Sequence, residues 1–124
     1  MMRTQRKARG DQGEQIVATM LEKQGFTIRE RNYRKRFGEI DLIAENKELL
    51  LFVEVKLRCS NRIDLAELVG TCKQRRIGAA VKAYLIESNY IQKTYRCDVA
   101  LVDVATGDPE ITYIADAFQI HEGL

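Results

Sequence analysis

A strongly apolar stretch of the sequence, residues 37–58, is interrupted by charged side chains, among them Glu39, Asp41, Glu54 and Lys56. The ones best suited to chemistry are Asp41, Glu54 and Lys56. Two neighbouring carboxylates in a half-buried position repel each other and lose hydration, which is costly without a compensating cation. Mg²⁺ binds one or two carboxylates together with water and phosphate oxygens. The acids therefore predict a divalent metal site, and the alternative is an ion pair in which Lys56 neutralises one acid.

Two predicted β-strands carry these residues. "GEIDLIAE" (38–45) and "ELLLFVEVKL" (48–57) are short, apolar and rich in β-branched or aromatic residues, with a turn at residues 46–47 between them. The second run is apolar on both faces over residues 49–57, which predicts a central strand. A β-hairpin is therefore expected to position the acids.

Alternation along the strands decides which charged side chains share a face. Glu54 and Lys56 fall on one face of the second strand, and Glu39 and Asp41 on one face of the first. With the turn at residues 46–47, Asp41 lies opposite Phe52 and diagonal to Glu54. A shift of two residues places Asp41 directly opposite Glu54, so both registers bring the two carboxylates together.

The remaining chain alternates between helical and extended patterns. We predict a flexible basic tail (1–7), a helix (8–24) ended by Gly25, a strand (26–32), a basic turn (33–38), a second helix (64–87) with Asp64 as N-cap, and strands over 96–104 and 110–118. The stripe of the second helix is expected to contain Val69, Cys72, Ile77, Ala80 and Tyr84, with Lys73 near it and able to reach the sheet. These elements indicate an α/β layered domain with a mixed sheet flanked by helices.

Glu14 is a further candidate, on the first helix. It precedes Val17 and Leu21 by three and seven residues, so it continues their apolar stripe and is expected to face the sheet. The alternative is a first-turn glutamate that complements the helix dipole.

Length and composition exclude several classes of protein. The 124 residues suit a single domain, 1–124, and no apolar run approaches the 18 or so residues that span a bilayer. The basic start has no apolar stretch behind it and does not resemble a secretory signal. Three cysteines without C-x-x-C spacing argue for reduced thiols and a cytoplasmic location.

The charge distribution is uneven although the net charge is only +2. Residues 1–36 contain ten Lys or Arg and four acids, whereas residues 98–124 contain six acids and no Lys or Arg. This asymmetry is typical of a face that meets a polyanion. An unevenly charged solvated surface explains it equally well.

The order of these residues carries a family resemblance. An acid on the first helix, then Asp41, then Glu54-Val55-Lys56 on the next strand resembles the PD-(D/E)xK nuclease superfamily. The segments "GEQIVATMLEKQGF", "RNYRKRFGEIDLIA", "LLFVEVKLR" and "YIADAF" are most similar to the YraN-like bacterial family, which is similar to Holliday-junction resolvases. Ile40 precedes Asp41 where the superfamily's name has proline.

The resemblance implies a restriction-endonuclease-like three-layer domain and a metal-dependent DNA nuclease. Asp41, Glu54 and the backbone carbonyl of Val55 would hold Mg²⁺ or Mn²⁺. Lys56 would orient or deprotonate the attacking water, and Glu14 would be an outer or second-metal ligand. Glu39 belongs less clearly to the pattern.

Basic residues around this site are expected to grip the nucleic-acid backbone without reading sequence. They are Arg34, Lys35, Arg36, Arg58, Lys73 and Arg76. Tyr33 and Phe37 flank the basic turn, where they either stack on unpaired bases or pack against the fold. The expected partner is DNA, branched or single-stranded, with a homodimer suited to such substrates and no membrane. The alternative function is a non-catalytic nucleic-acid-binding domain that retains the nuclease fold.

Overall fold

The chain folds around one five-stranded sheet with a helix on either side. The computed structural model describes residues 3–58, 70–90 and 93–120. Its elements in chain order are α1 (Arg3–Lys23), β1 (Thr27–Lys35), β2 (Gly38–Glu45), β3 (Leu50–Arg58), α2 (Thr71–Glu87), β4 (Tyr95–Asp103) and β5 (Glu110–Phe118). The predicted N-cap Asp64 and stripe residue Val69 lie outside the described residues.

The strands follow the order β1-β2-β3-β4-β5 across the sheet. β3 and β4 run parallel, from the pair Leu50–Tyr95 to the pair Arg58–Asp103, and the other neighbours are antiparallel. A parallel pair needs a long crossover, and the segment that contains α2 provides it. The predicted mixed sheet and the central position of β3 are confirmed.

Each face of the sheet is covered by one helix. Val17 and Leu21 of α1 pack with Leu51 and Val53 on one side. On the other side Phe52 belongs to the core cluster formed with α2, which includes Leu50, Ile77, Ala80, Val81 and Tyr84. The result is the predicted three-layer α/β domain, consistent with a restriction-endonuclease-like fold. Neither helix among the described residues is long and apolar enough to cross a bilayer.

α1 begins at Arg3, earlier than the predicted start at residue 8. The predicted tail is therefore helical over residues 3–7. The physical reason is composition, because Gln, Arg, Lys and Ala favour helix and no Gly or Pro interrupts residues 3–9.

The end of α1 is confirmed at Gly25, which takes φ 95°. The N–H of Phe26 donates to the carbonyl of Leu21 and that of Gly25 to the carbonyl of Glu22, both at 3.0 Å. This is a Schellman arrangement, in which glycine is favoured because it adopts a positive φ without strain.

The basic turn predicted over residues 33–38 is wrong in extent. β1 continues to Lys35, which pairs with Gly38, so the turn is only Arg36 and Phe37. Tyr33 extends the strand because its ring packs against Tyr84, with centroids 5.4 Å apart, and this burial outweighs the polar character of its neighbours.

The connection between β2 and β3 is also longer than predicted. Glu45 pairs with Leu50, which leaves four residues in the turn instead of two. Asn46 explains the difference, since its Oδ1 accepts the backbone N–H groups of Glu48 at 3.0 Å and Leu49 at 2.8 Å. The register is therefore the one shifted by two residues. Continued past the last pair of the ladder, it sets Asp41 opposite Glu54.

Cys72 was expected in the buried stripe of the second helix, but it is exposed. It precedes Ile77 by five residues, which is about 140° around the helix from the stripe. The expected stripe members Ile77, Ala80 and Tyr84 are buried.

Candidate active site at the end of β3

The candidate site lies where β2 and β3 stop pairing. Their ladder runs from Glu45–Leu50 to Leu42–Val53, and the rest of β3 to Arg58 continues alongside β4. The Val55 N–H donates to Asp41 Oδ2 at 2.8 Å, so the carboxylate takes the place of a backbone acceptor. Beyond this point β2 no longer pairs with β3, and this opening of the sheet leaves room for acidic side chains beside the end of β3.

Asp41 is the residue most affected by its surroundings. Burial raises the pKa of its carboxyl to about 7, and the negative charges of Glu54 and Glu14 act in the same direction. The Val55 N–H and the Lys73 ammonium oppose the shift. Burial and repulsion between the acids thus disfavour the ionised form of Asp41, and a bound cation would favour it.

Glu14 lies on the inner side of α1, only 8% exposed. The prediction that it faces the sheet is confirmed, and the dipole alternative is wrong because α1 begins eleven residues earlier at Arg3. Its Oε1 is buried without a hydrogen-bond partner among the described residues. Burial and then the charge of Asp11 raise the pKa of Glu14, while Asn32 opposes the shift.

Lys73 of α2 forms an ion pair with Glu54, with Nζ 2.9 Å from Oε1. It precedes Ile77 by four residues, one helical turn, so it lies on the side of α2 that faces the sheet. The predicted reach towards the sheet is confirmed. Both side chains are largely buried, 25% exposed for Lys73 and 12% for Glu54, so the pair is shielded from solvent.

Lys56 shares the Glu54 face of β3. Burial and the neighbouring ammonium of Lys73 lower its pKa, while Glu54 opposes the change. The site therefore contains two lysines of different character. Lys73 is bound to an acid, and Lys56 is destabilised in its charged form.

Glu39 does not join the acids. Its carboxylate is half exposed and meets Arg34 at 3.5 Å and Arg76 at 3.9 Å. The prediction that it shares the Asp41 face by alternation stays a prediction, and its carboxylate is engaged by arginines of β1 and α2.

The donor atoms fit a hard divalent cation. Asp41 and Glu54 supply carboxylate oxygens, the orphaned Glu14 Oε1 is a third oxygen, and Mg²⁺ takes one or two carboxylates with water completing its shell. Among the described residues, no three His, Cys, Asp or Glu side chains are already arranged to hold one ion. An ion held here would be bound by two carboxylates and water, and its presence stays a prediction.

The predicted nucleic-acid-binding residues lie at this end of the sheet. Arg34 and Lys35 are on β1, Arg36 in the turn, Arg58 at the end of β3, and Lys73 and Arg76 on α2. Lys35 Nζ contacts Glu87 Oε1 at 2.7 Å, so its charge is partly neutralised. Their role with nucleic acid stays a prediction.

The sequence reasoning missed a polar cluster at the other end of the sheet. Glu45 is buried and accepts hydrogen bonds from Lys93 Nζ at 2.7 Å, Tyr90 Oη at 3.2 Å, and Arg29. Although burial alone would raise the pKa of Glu45, the bonds from Lys93 and Arg29 lower it. The cluster borders a cleft of about 750 Å³. The only sequence feature that pointed to this cluster is an acidic residue, Glu45, at the end of an apolar strand.

Comparison with known proteins identifies the family. The model of the uncharacterised protein family UPF0102 matches residues 13–102. A UPF0102 protein of Syntrophus aciditrophicus is 41% identical over 121 residues, covering 97% of this chain and 95% of the relative. One from Clostridium acetobutylicum is 37% identical over 123 residues, covering 97% and 100%, and one from Anaeromyxobacter dehalogenans is 37% identical over 114 residues, covering 91% and 85%. The chain therefore belongs to the uncharacterised protein family UPF0102, the YraN-like family that its motifs resemble.

Proposed function

We propose that this protein is a metal-dependent DNA nuclease that hydrolyses phosphodiester bonds, structure-selective and active in repair or recombination. One observation carries the proposal. Asp41, Glu54 and Glu14 act on one another electrostatically at the opening of the sheet, and burial, reinforced by the charge of Glu54, raises the pKa of Asp41 to about 7. Perturbed carboxyls of this kind are typical of functional sites.

The residues divide the chemistry between them. Mg²⁺ or Mn²⁺, held by Asp41, Glu54 and the Val55 carbonyl with Glu14 as an outer ligand, would polarise a phosphodiester oxygen and acidify a bound water. Lys56, whose pKa is lowered by burial and by the nearby Lys73, accepts a proton from the attacking water or donates a hydrogen bond to the phosphate. The water oxygen bonds to phosphorus as the bond to the leaving sugar oxygen breaks.

The ion pair between Lys73 and Glu54 has a place in this scheme. Without a metal, the Lys73 ammonium neutralises Glu54 at 2.9 Å. A cation bound by Glu54 would free Lys73 to contact the substrate phosphate. Lys73 lies one helical turn before Ile77, on the side of α2 that faces the sheet. Arg34, Arg36, Arg58 and Arg76 hold the backbone on either side. A homodimer in the cytoplasm would present two such sites to a branched substrate.

The test is cleavage of defined DNA. Linear duplex, single-stranded, flapped and four-way-junction substrates are incubated with the protein in Mn²⁺, Mg²⁺ or EDTA. We expect cleavage only with a divalent ion, and its loss in Asp41→Asn, Glu54→Gln and Lys56→Met. Glu48→Gln is the matched control, since Glu48 is an exposed acid in the turn at the far end of β2.

The alternative is a nucleic-acid-binding domain without turnover. It is favoured by the engagement of Glu54 with Lys73 and by the absence, among residues 3–58, 70–90 and 93–120, of three ready metal-binding side chains. Binding of junction DNA without cleavage in any metal, and no heat of Mn²⁺ binding by calorimetry, would establish this second function and refute the first.

A further inference from the structure

The turn between β1 and β2 presents an aromatic ring to solvent. Phe37 is 71% exposed, which is unusual for a large apolar side chain. The guanidinium of Arg36 lies over the ring, 5.1 Å from its centroid. The turn therefore offers a flat apolar surface with a positive charge attached to it.

The base of this hairpin is fixed to α2. Tyr33 Oη donates to Glu87 Oε2 at 3.0 Å, and Lys35 Nζ contacts the other oxygen of the same carboxylate at 2.7 Å. Gly38 lies so close to α2 that a Cβ there would overlap the carbonyl oxygen of Arg76. The tip is thus presented by a rigid support, and ordering it on binding would cost little.

The charge around the ring favours a polyanion. Arg34 and Arg76, 73% and 65% exposed, share the carboxylate of Glu39, and Arg36 adds a further charge. These three arginines and one acid give a local charge of about +2. An apolar ring set among arginines matches a nucleobase with its phosphate, whereas a membrane surface would need a much larger apolar area.

The tip lies at the catalytic end of the sheet. β2 leads from Gly38 to Asp41, and the antiparallel β3 brings Glu54 to the same end. Asp41 lies four positions beyond Phe37, a distance of about 13 Å at 3.3 Å per residue. A strand of nucleic acid could contact both positions within a few nucleotides.

We propose that Phe37 stacks on an unpaired nucleobase and thereby selects substrates with a single-stranded segment next to the site. The consequence of stacking, selectivity for substrate structure, rests on the proposed nuclease function. The stacking itself requires no catalysis. Base–aromatic stacking is insensitive to sequence because every base has a π-face, and Arg36 adds a cation–π contribution.

The chain contains no tryptophan, so Phe37→Trp creates a single fluorescent reporter at the tip. We expect a single-stranded oligonucleotide to quench this tryptophan in EDTA, and a blunt duplex to leave its emission unchanged. The matched control is Ile86→Trp. Ile86 is 69% exposed and lies beside Glu87 at the base of the hairpin, ten residues or about 15 Å along α2 from Arg76, which contacts Glu39 near the tip. DNA and RNA oligonucleotides of the same sequence show which sugar is preferred.

Affinity measurements complete the test. Phe37→Ala should weaken single-strand binding about tenfold or more, with duplex binding unchanged, and Phe37→Tyr should restore it. Equal quenching of the Phe37→Trp and Ile86→Trp variants, or wild-type affinity in Phe37→Ala, would overturn the proposal. Cleavage in Mn²⁺ without quenching refutes the stacking alone, and quenching without cleavage refutes the nuclease function alone.

Discussion

Replacing Asp41 by asparagine should stabilise the metal-free protein at alkaline pH. The pKa of Asp41 is raised from an ordinary value of 3.8 to about 7, chiefly by burial and then by Glu54. The folded state therefore binds its proton more tightly than the unfolded chain. Stability from this group is fully present below pH 4 and is lost as the pH rises through 7.

The magnitude follows from the shift. About three pKa units correspond to about 4 kcal/mol at 1.36 kcal/mol per unit. Because the electrostatic repulsion is distributed over the neighbouring acids, we expect the free energy of unfolding to change by about 2–4 kcal/mol. The substitution removes the charge, while the amide oxygen of the new side chain can still accept the Val55 N–H that Asp41 Oδ2 accepts at 2.8 Å. Asp41→Asn should therefore exceed wild type by this amount at pH 8 and by little at pH 4.5.

The assay is urea unfolding followed by circular dichroism at several pH values between 4.5 and 8. Subtracting the two free energies of unfolding cancels groups that titrate alike in both proteins. Mn²⁺ should stabilise wild type and not Asp41→Asn, by mass action. Asp108→Asn, in the exposed turn after β4, should leave the pH dependence unchanged. A lower stability of Asp41→Asn at pH 8, or a difference independent of pH, would refute the reasoning.

Three further substitutions test other parts of the structure. Gly38→Ala should lower stability in thermal unfolding by about 2 kcal/mol or more, because the new Cβ would overlap the Arg76 carbonyl and lie 3.1 Å from the Ala80 nitrogen. Gly13→Ala is the control and should be neutral or stabilising, because its nearest neighbours are side-chain atoms at 3.5 Å or more. Lys73→Gln should lower the stability of the metal-free protein by about 1–2 kcal/mol, because it removes the ammonium 2.9 Å from Glu54. Mn²⁺ should then bind more tightly in calorimetry, since it no longer competes with that ammonium. An unchanged Mn²⁺ affinity would contradict this reasoning. Asp98→Asn should lower stability in urea unfolding by about 3 kcal/mol, because the fully buried Asp98 accepts hydrogen bonds from Arg96 Nε at 2.8 Å and Nη2 at 2.9 Å. Wild-type stability in this variant would show that the ion pair is dispensable.

The elements with clear periodicity were predictable from the sequence. β2, β3, β4 and β5 lie within a few residues of the predicted bounds, and Gly25 ends α1 as expected. The reason is that burial of one or both faces leaves a local pattern of apolar residues that a single sequence displays. The helical placement of Glu14 on the sheet side had the same origin.

Turn lengths and exposed ends were less predictable. The sequence suggested a two-residue turn at 46–47, but the side chain of Asn46 caps a four-residue turn. The basic segment 33–38 suggested a turn, but the packing of Tyr33 on Tyr84 keeps residues 33–35 in β1. The first outcome depends on the side-chain geometry of Asn46 within the turn, and the second on a contact between β1 and α2. Local composition specifies neither of them.

The sequence by itself determined which residues form the candidate site, because strand alternation brings Asp41 near Glu54 in either register and sets Lys56 beside it. Only the tertiary structure decided how their charges are balanced. At the end of the β2–β3 ladder the Val55 N–H donates to Asp41, and α2 places Lys73 against Glu54. Burial between α1 and the sheet leaves Glu14 Oε1 without a hydrogen-bond partner among the described residues. These interactions depend on burial and on distances between separate elements. Both quantities are set by the tertiary structure and cannot be read from the sequence.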